Sequence, residues 1–246
     1  MKKTIFITSV TRMDEGYVCV SGLDEQGDFV RPEIRYHNER PGIKIEYLYD
    51  TRGREVIRPL TKVEFDFTEH IPKQLYHTED WLIDGKKTPR LISTPTDSEC
   101  LHILEKYSDS SLEKALANRD RSLVIVRPHG VPKIMVKLWE DRIRCRFSFH
   151  DVFGDYVSNL PNSRRPVGVT DAYWLALCKY LWRKEDQTVE HRLNKIFEGK
   201  RLFLLIGVTR EWQGEYWRQV SAVLTIPYWL DKYTFADFKY DFTDNI

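Results

Sequence analysis

The sequence predicts a mostly β protein built from two small antiparallel β-barrels with helical connectors. Short runs rich in β-branched and aromatic residues recur along the chain between turn-forming residues. Several alternate apolar and polar residues, as strands with one buried face do. The third observation is internal similarity. Residues 6–23 and 204–224 each read as an apolar strand, Val-Thr-Arg, a glycine-containing turn, a tyrosine and a second apolar strand. Val30-Arg31-Pro32 echoes Val126-Arg127-Pro128, and Ile57-Arg58-Pro59 is a weaker third case. Together these favour two related units over one α/β layer. Closing a small sheet into a barrel also removes its exposed edges, and the five-stranded version is the OB-fold.

In chain order, strands are expected at 4–10, 17–23 and 28–34, with Asp-Glu-Gln-Gly as the turn between the last two. A second group follows at 44–50, 55–67 and 81–85. Residues 98–118 read as helical, with Asp97 or Ser98 as N-cap. Strands resume at 122–128, 132–139 and 142–150, and a polar loop, Ser-Asn-Leu-Pro-Asn-Ser-Arg-Arg-Pro, follows. A helix over 170–184 is capped by Thr170 or Asp171, and 189–199 is a further helix or its extension. Strands over 201–210 and 215–226 precede an aromatic tail. The expected domains are 1–119, an OB-like barrel with a trailing helix, and 120–246, an OB-like barrel with inserted helices.

A chain of 246 residues with 41% hydrophobic and 30% charged residues can bury a large core, which excludes a disordered polymer. No apolar run reaches the roughly 20 residues of a membrane-spanning helix. The apolar start carries Thr4, Thr8 and Ser9 and runs into Arg12, so it reads as a strand rather than a leader, and a cytoplasmic location is expected. Cys19, Cys100, Cys145 and Cys178 lie far apart without ligand spacing and read as free thiols. Residues 1–120 hold 18 Lys/Arg against 22 Asp/Glu, and residues 121–246 hold 20 against 15. A near-neutral chain therefore concentrates its positive charge in the second half, where any nucleic-acid footprint would lie.

The segments Ile-Thr-Ser-Val-Thr-Arg near the start, Glu-Asp-Trp-Leu-Ile-Asp at 79–84, Val-Gly-Val-Thr-Asp-Ala-Tyr-Trp at 167–174 and Ile-Gly-Val-Thr-Arg near the end resemble the dual OB-domain proteins of prokaryotes. The resemblance spans most of the chain. It implies two OB-like barrels and binding of nucleic acid or nucleotides, in defence or nucleic-acid-processing systems.

The sharpest local signal is residues 142–150. Arg142, Arg144, Arg146, Ser148 and His150 occupy every second position, with Ile143, Cys145, Phe147 and Phe149 between them. A strand in this register buries the apolar set and presents the basic set on one face. The plain alternative is a solvated outer face; the functional one is a platform for phosphates. OB-folds hold single strands with cations along the backbone and aromatic rings under the bases. Lys133, Lys137 and Trp139 extend the surface across a neighbouring strand if Glu-Asp closes a hairpin. Arg164 and Arg165 lie with Asn162 in a proline-bounded loop able to swing over a bound strand. Arg31 and Arg127, each fixed before a proline, would give one phosphate contact per barrel or pair with local carboxylates. Arg12 and Arg210 carry the same ambiguity. The segment 31–42 adds Arg35, Tyr36, His37 and Arg40 among acidic residues.

Enzyme readings find less support. Glu64 and Asp66 share a strand face without the lysine a metal-dependent nuclease site needs, and His129, His150 and Asp151 have no nucleophile beside them. No phosphate-loop, dinucleotide, zincin or hydrolase-elbow motif occurs. No catalytic residue, metal or cofactor is assigned. The expected function is non-catalytic binding of single-stranded DNA or RNA, or of a nucleotide. The alternative is an adaptor that docks a protein partner, an enzyme, through the acidic first barrel and aromatic tail. No membrane contact is expected.

Overall fold

The computed structural model describes residues 1–35, 41–73, 75–140, 142–184, 189–231 and 233–238. The first sheet contains β1 (Lys2–Arg12), β2 (Tyr17–Leu23), β3 (Phe29–Glu33), β4 (Ile43–Lys44), β5 (Lys62–His70), β6 (Asp80–Ile83) and β7 (Arg90–Ser93). Its order is β1-β2-β3-β6-β5, and β5 returns to pair with β1 from Lys2↔Asp66 to Phe6↔Lys62, closing a five-stranded barrel. Only β3 and β6 run parallel within this ring. β4 pairs with β2, and β7 with β5.

Helix α1 (Asp97–Tyr107) then leads to β8 (Ser108–Asp109), α2 (Leu112–Leu116), β9 (Leu123–Val126), β10 (Lys133–Trp139), β11 (Arg142–His150), β12 (Tyr156–Val157) and β13 (Val167–Val169). After α3 (Ala172–Lys184) and α4 (Val189–Lys195) come β14 (Arg201–Val208) and β15 (Arg218–Ile226). The second sheet runs β10-β11-β13-β15-β14-β9-β8, with β13 and β15 parallel. Past β9, Pro128 bridges Asp151 and the His129 amide donates to the His150 carbonyl at 2.8 Å, so β9 meets the end of β11. The ring β9-β11-β13-β15-β14 thus repeats the first barrel's topology: in both, the third and fifth strands in chain order are the parallel pair. Helices α3 and α4 occupy the connection between the third and fourth strands. The chain is mostly β, 41% strand against 19% helix, and folds as two OB-like barrels.

That topology corrects the meaning of the internal repeat. β1 is the first strand of its ring, whereas β14 is the fourth strand of the other, so the two Val-Thr-Arg segments are not equivalent positions. Nor are Arg31, in the third strand, and Arg127, just past the first. Both Val-Thr-Arg segments instead end where the barrels meet. Thr11 bridges Asp171, its hydroxyl donates to the Ser221 carbonyl at 3.3 Å, and the Arg12 amide donates to the Thr170 carbonyl at 2.8 Å.

Local sequence explains the other departures. The expected strand 55–67 begins only at Lys62, because Pro59 lacks an amide proton and Leu60 turns with φ of 65°. Residues 44–50 give a two-residue strand and a short 3₁₀ turn. The helix expected over 98–118 splits into α1 and α2. The cap of α1 is Thr96, in a reciprocal capping box with Glu99, rather than Asp97 or Ser98. Asp171 caps α3, accepting from the amides of Tyr173 and Trp174 at 2.9 and 3.1 Å. One contiguous apolar cluster runs through both barrels, from Ile5, Phe65 and Phe67 to Phe147, Trp174 and Leu204. No described helix is long and apolar enough to cross a membrane.

Candidate nucleic-acid interface

β10 and β11 form the hairpin that the alternation requires, paired from Lys133↔Ser148 to Trp139↔Arg142. Ile143, Cys145, Phe147 and Phe149 are buried, while Arg144, Arg146 and His150 are exposed and Arg142 is half-buried. Lys137 lies opposite Arg144, and Met135 opposite Arg146. Directly paired residues share a face, so Lys133, Lys137, Trp139, Arg142, Arg144, Arg146 and His150 line one surface. Neither strand contains a carboxylate. Trp139 is 55% exposed, with the Arg144 guanidinium 5.2 Å from its ring centre. This aromatic is therefore on the surface and not in the core, and the cation–π contact holds its ring beside the arginine row.

The far end of the face is built by three short contacts. The His150 ring meets Tyr156 edge-on at 5.4 Å, Ser148 reaches the Tyr156 hydroxyl at 3.4 Å, and that hydroxyl donates to the Arg164 carbonyl at 3.4 Å. Arg164 and Arg165 are exposed beside it. Their loop is tied internally: the Arg165 amide donates to Ser163 at 3.0 Å, Ser163 to Asn159 at 3.0 Å, and the Asn159 amide to the Arg165 carbonyl at 3.1 Å. These bonds give the loop a defined shape beside the basic face. Arg127 is exposed one residue before the Pro128 bridge, near the His150 end.

Arg31 does not join this face. Its guanidinium is buried between the barrels, 2.7 Å from both Glu79 and Asp80, with Ser122 at 2.5 Å and His77 Nδ1 at 2.7 Å. Arg210 reaches the same network, 2.6 Å from Glu33 and 3.3 Å from Asp80, and Lys73 lies 3.0 Å from Asp80. The parallel register of β3 and β6, which sets Arg31 beside Asp80, creates this network. Of the two expected phosphate contacts, Arg31 is thus a neutralised structural cation. Tyr36, His37 and Arg40 lie outside the described residues.

Asp151, Glu64 and Asp66 are each held by polar contacts. Asp151 is buried and accepts from the Phe153 and Asp155 amides at 3.0 and 3.1 Å, which fixes a turn. Glu64 is paired with Lys2 at 3.0 Å and Arg90 at 3.3 Å, and Asp66 with Lys87 at 2.9 Å; these contacts hold both carboxyls below their usual range. Among the described residues no cluster of His, Cys, Asp or Glu has the geometry to hold a metal ion. All four cysteines are free thiols, and Cys19 is the one only partly buried.

A groove of about 780 Å³ lies on the first barrel against the 107–121 connector. Asp24, Asp28, Glu79, Asp109 and Asp120 line it against Lys3, Lys114 and Arg121, so its charge disfavours a polyanion. Of the aromatic tail, Tyr240 and Phe242 lie outside the described residues, and most of the other rings are packed into the core. Trp229 meets Trp174 at 5.3 Å, Phe235 meets Tyr173 at 5.2 Å, and Phe238 meets Tyr180 at 6.0 Å, although Tyr233 stays 58% exposed. A scan of family models finds none that matches the chain, and a search of curated proteins finds no match either.

Proposed function

We propose that the protein binds single-stranded nucleic acid without catalysis, along the outer face of the β10–β11 hairpin. The observation that carries this reading is a carboxylate-free row of Arg142, Arg144 and Arg146, flanked by Lys133 and Lys137, with an exposed Trp139 at one end. Guanidinium groups suit bidentate phosphate contacts, and a base stacked on an aromatic ring is worth about 1–3 kcal/mol. Arg127, His150, Arg164 and Arg165 extend the path at the other end. The resemblance to dual OB-domain proteins points the same way, as does the use of OB-like barrels for oligonucleotides. An adaptor role is less well supported, because the tail aromatics that would dock a partner are largely packed on α3.

The test is fluorescence anisotropy of labelled single-stranded DNA and RNA over a salt series, with the parent and Arg142→Ala/Arg144→Ala/Arg146→Ala. Arg144 and Arg146 are exposed and Arg142 is half-buried, and far-UV circular dichroism checks that the variant is folded. The expected outcome is parent binding that weakens with salt, and a log–log salt slope shallower by about 2 in the variant, at about 0.7 for each phosphate that an arginine no longer neutralises. Absence of parent binding at low salt overturns the reading.

A further inference from the structure

Tryptophan is usually largely buried, yet Trp212, between β14 and β15, is 60% exposed. A tight hairpin holds it there. The Trp212 amide donates to the Glu215 carbonyl at 2.9 Å, and the Glu215 amide to the Trp212 carbonyl at 3.1 Å. Between them Gln213 and Gly214 have φ of 54° and 79°, the left-handed pair that such a two-residue turn requires. Behind the turn the β14–β15 register continues with Thr209 opposite Trp217. The Thr209 amide donates to the Trp217 carbonyl at 2.7 Å, and the Trp217 amide to the Thr209 hydroxyl at 3.0 Å. The two indole rings meet at 6.3 Å and 58°, so Trp217 supports Trp212 while leaving it open to solvent.

This pair lies on the side of the sheet that carries the arginine row. Directly paired residues share a face, and Arg146↔Gly168 and Gly168↔Gln219 join Arg146 to Gln219. Trp217 is two residues before Gln219 and therefore on the same side. Extended by two residues, these registers set Ser148, Pro166 and Trp217 in one row. At about 4.8 Å per strand, Trp217 is about 10 Å from Ser148. Arg164 and Arg165 immediately precede Pro166, and their loop is joined to both sides of the gap. The Tyr156 hydroxyl, in contact with Ser148, donates to the Arg164 carbonyl at 3.4 Å. The Asn159 amide donates to the Arg165 carbonyl at 3.1 Å, and the Asn159 carbonyl accepts from the Arg218 amide at 2.8 Å.

Charge at the hairpin separates base from backbone. Glu211, which accepts from the Tyr216 hydroxyl at 3.2 Å, and the exposed Glu215 flank Trp212. Arg210 does not offset them, because Glu33 and Asp80 already hold it. A phosphate is repelled at this ring, whereas the face of a neutral base is not, and the exposed Arg164 and Arg165 suit the phosphate beside it. We propose that Trp212, supported by Trp217, stacks one base of the strand bound on the β10–β11 face. That strand crosses the sheet from β11 past Arg164 and Arg165 instead of following β11 alone. The inference rests on the reading of that face as the phosphate platform.

The test compares parent, Trp212→Ala and Trp212→Phe by fluorescence anisotropy over a salt series. The probes are a labelled single strand of mixed sequence and an abasic strand of equal length. The hairpin bonds are backbone bonds that neither substitution removes, and far-UV circular dichroism checks that both variants are folded. Trp212→Ala should weaken binding of the mixed strand about 5- to 150-fold, the equivalent of one stacked base. Its salt slope should not change, because no phosphate contact is lost. Trp212→Phe, which keeps a ring, should retain most of the affinity, and the abasic strand should bind all three proteins alike. If the parent binds and Trp212→Ala binds the mixed strand equally well, the stacking inference is overturned and the phosphate platform stands. An equal loss with the abasic strand also overturns it, since the ring then acts on something other than a base. If the parent binds neither strand at low salt, the platform reading fails and this inference with it.

Discussion

Single residues at the junction between the barrels show how burial divides roles among like side chains. Arg31 and Arg144 have the same chemistry, yet one is enclosed by two carboxylates and a histidine and the other faces outward beside a tryptophan. Among these buried groups His77 gives the clearest measurable signature. Its folded pKa of about 4 lies below the ordinary 6.5, so between these values the unfolded chain binds the proton more readily and folding stability falls as pH falls. The full effect is at most about 3 kcal/mol. Asp171 has the opposite slope. Burial, which outweighs three backbone N–H donors, raises its pKa to about 7, so over the range from there down to 3.8 its contribution grows as pH falls. The parent curve alone therefore mixes the two. In His77→Gln the amide oxygen can still accept from Arg31, and urea unfolding of parent and variant should give curves that diverge between about pH 6.5 and 4, with the parent losing more. Parallel curves would show that His77 is not held neutral.

At the scale of elements, the β10–β11 hairpin was the most legible part of the sequence, because strict alternation over nine residues has one physical solution when half the residues are apolar. The basic face and its neighbours Lys137 and Trp139 followed from that alternation. What sequence could not supply was the tertiary partner of each arginine. Arg31 and Arg127 both precede prolines, and only the parallel pairing of β3 with β6 decides that Arg31 is neutralised. The cap at Thr96 was readable as Thr-x-x-Glu, but the N-cap assignment fell one or two residues late, on Asp97 or Ser98. Protection of the free edge of β10 was not readable at all. Glu190 on α4, far away in sequence, accepts from the Val136 amide at 2.9 Å, occupying an edge N–H that would otherwise recruit another strand. Glu190→Ala should cost about 1 kcal/mol, the usual worth of such a bond, and should raise self-association through this edge. Urea unfolding and sedimentation velocity check the two effects; an unchanged midpoint and sedimentation profile would show that the edge is guarded by other means.

For the whole molecule, the decisive feature is that two rings of the same topology share one interior. The repeated Val-Thr-Arg segments suggested duplicated units, yet they sit at non-equivalent strands, and their common property is that both reach the junction. Polar contacts then tie the rings together. Arg210 binds Glu33 and Asp80, Arg31 binds Ser122, and the Tyr173 hydroxyl donates to Glu55 at 2.7 Å. The apolar cluster is continuous across the same boundary, and β8, which lies before residue 120, already belongs to the second sheet. Neither half can withdraw without exposing apolar surface and stranding buried charges, a loss that costs about 3–5 kcal/mol per broken buried pair. Unfolding should therefore be a single cooperative transition, despite a size at which two independent domains would be ordinary. Far-UV circular dichroism, which follows both sheets, and tryptophan fluorescence, with six of the seven tryptophans in the second half, should report coincident urea midpoints. Separate chains 1–119 and 120–246 should be unfolded or aggregated alone. Two resolved transitions, or a stably folded isolated half, would show that the junction is a docking surface between independent barrels rather than part of one core.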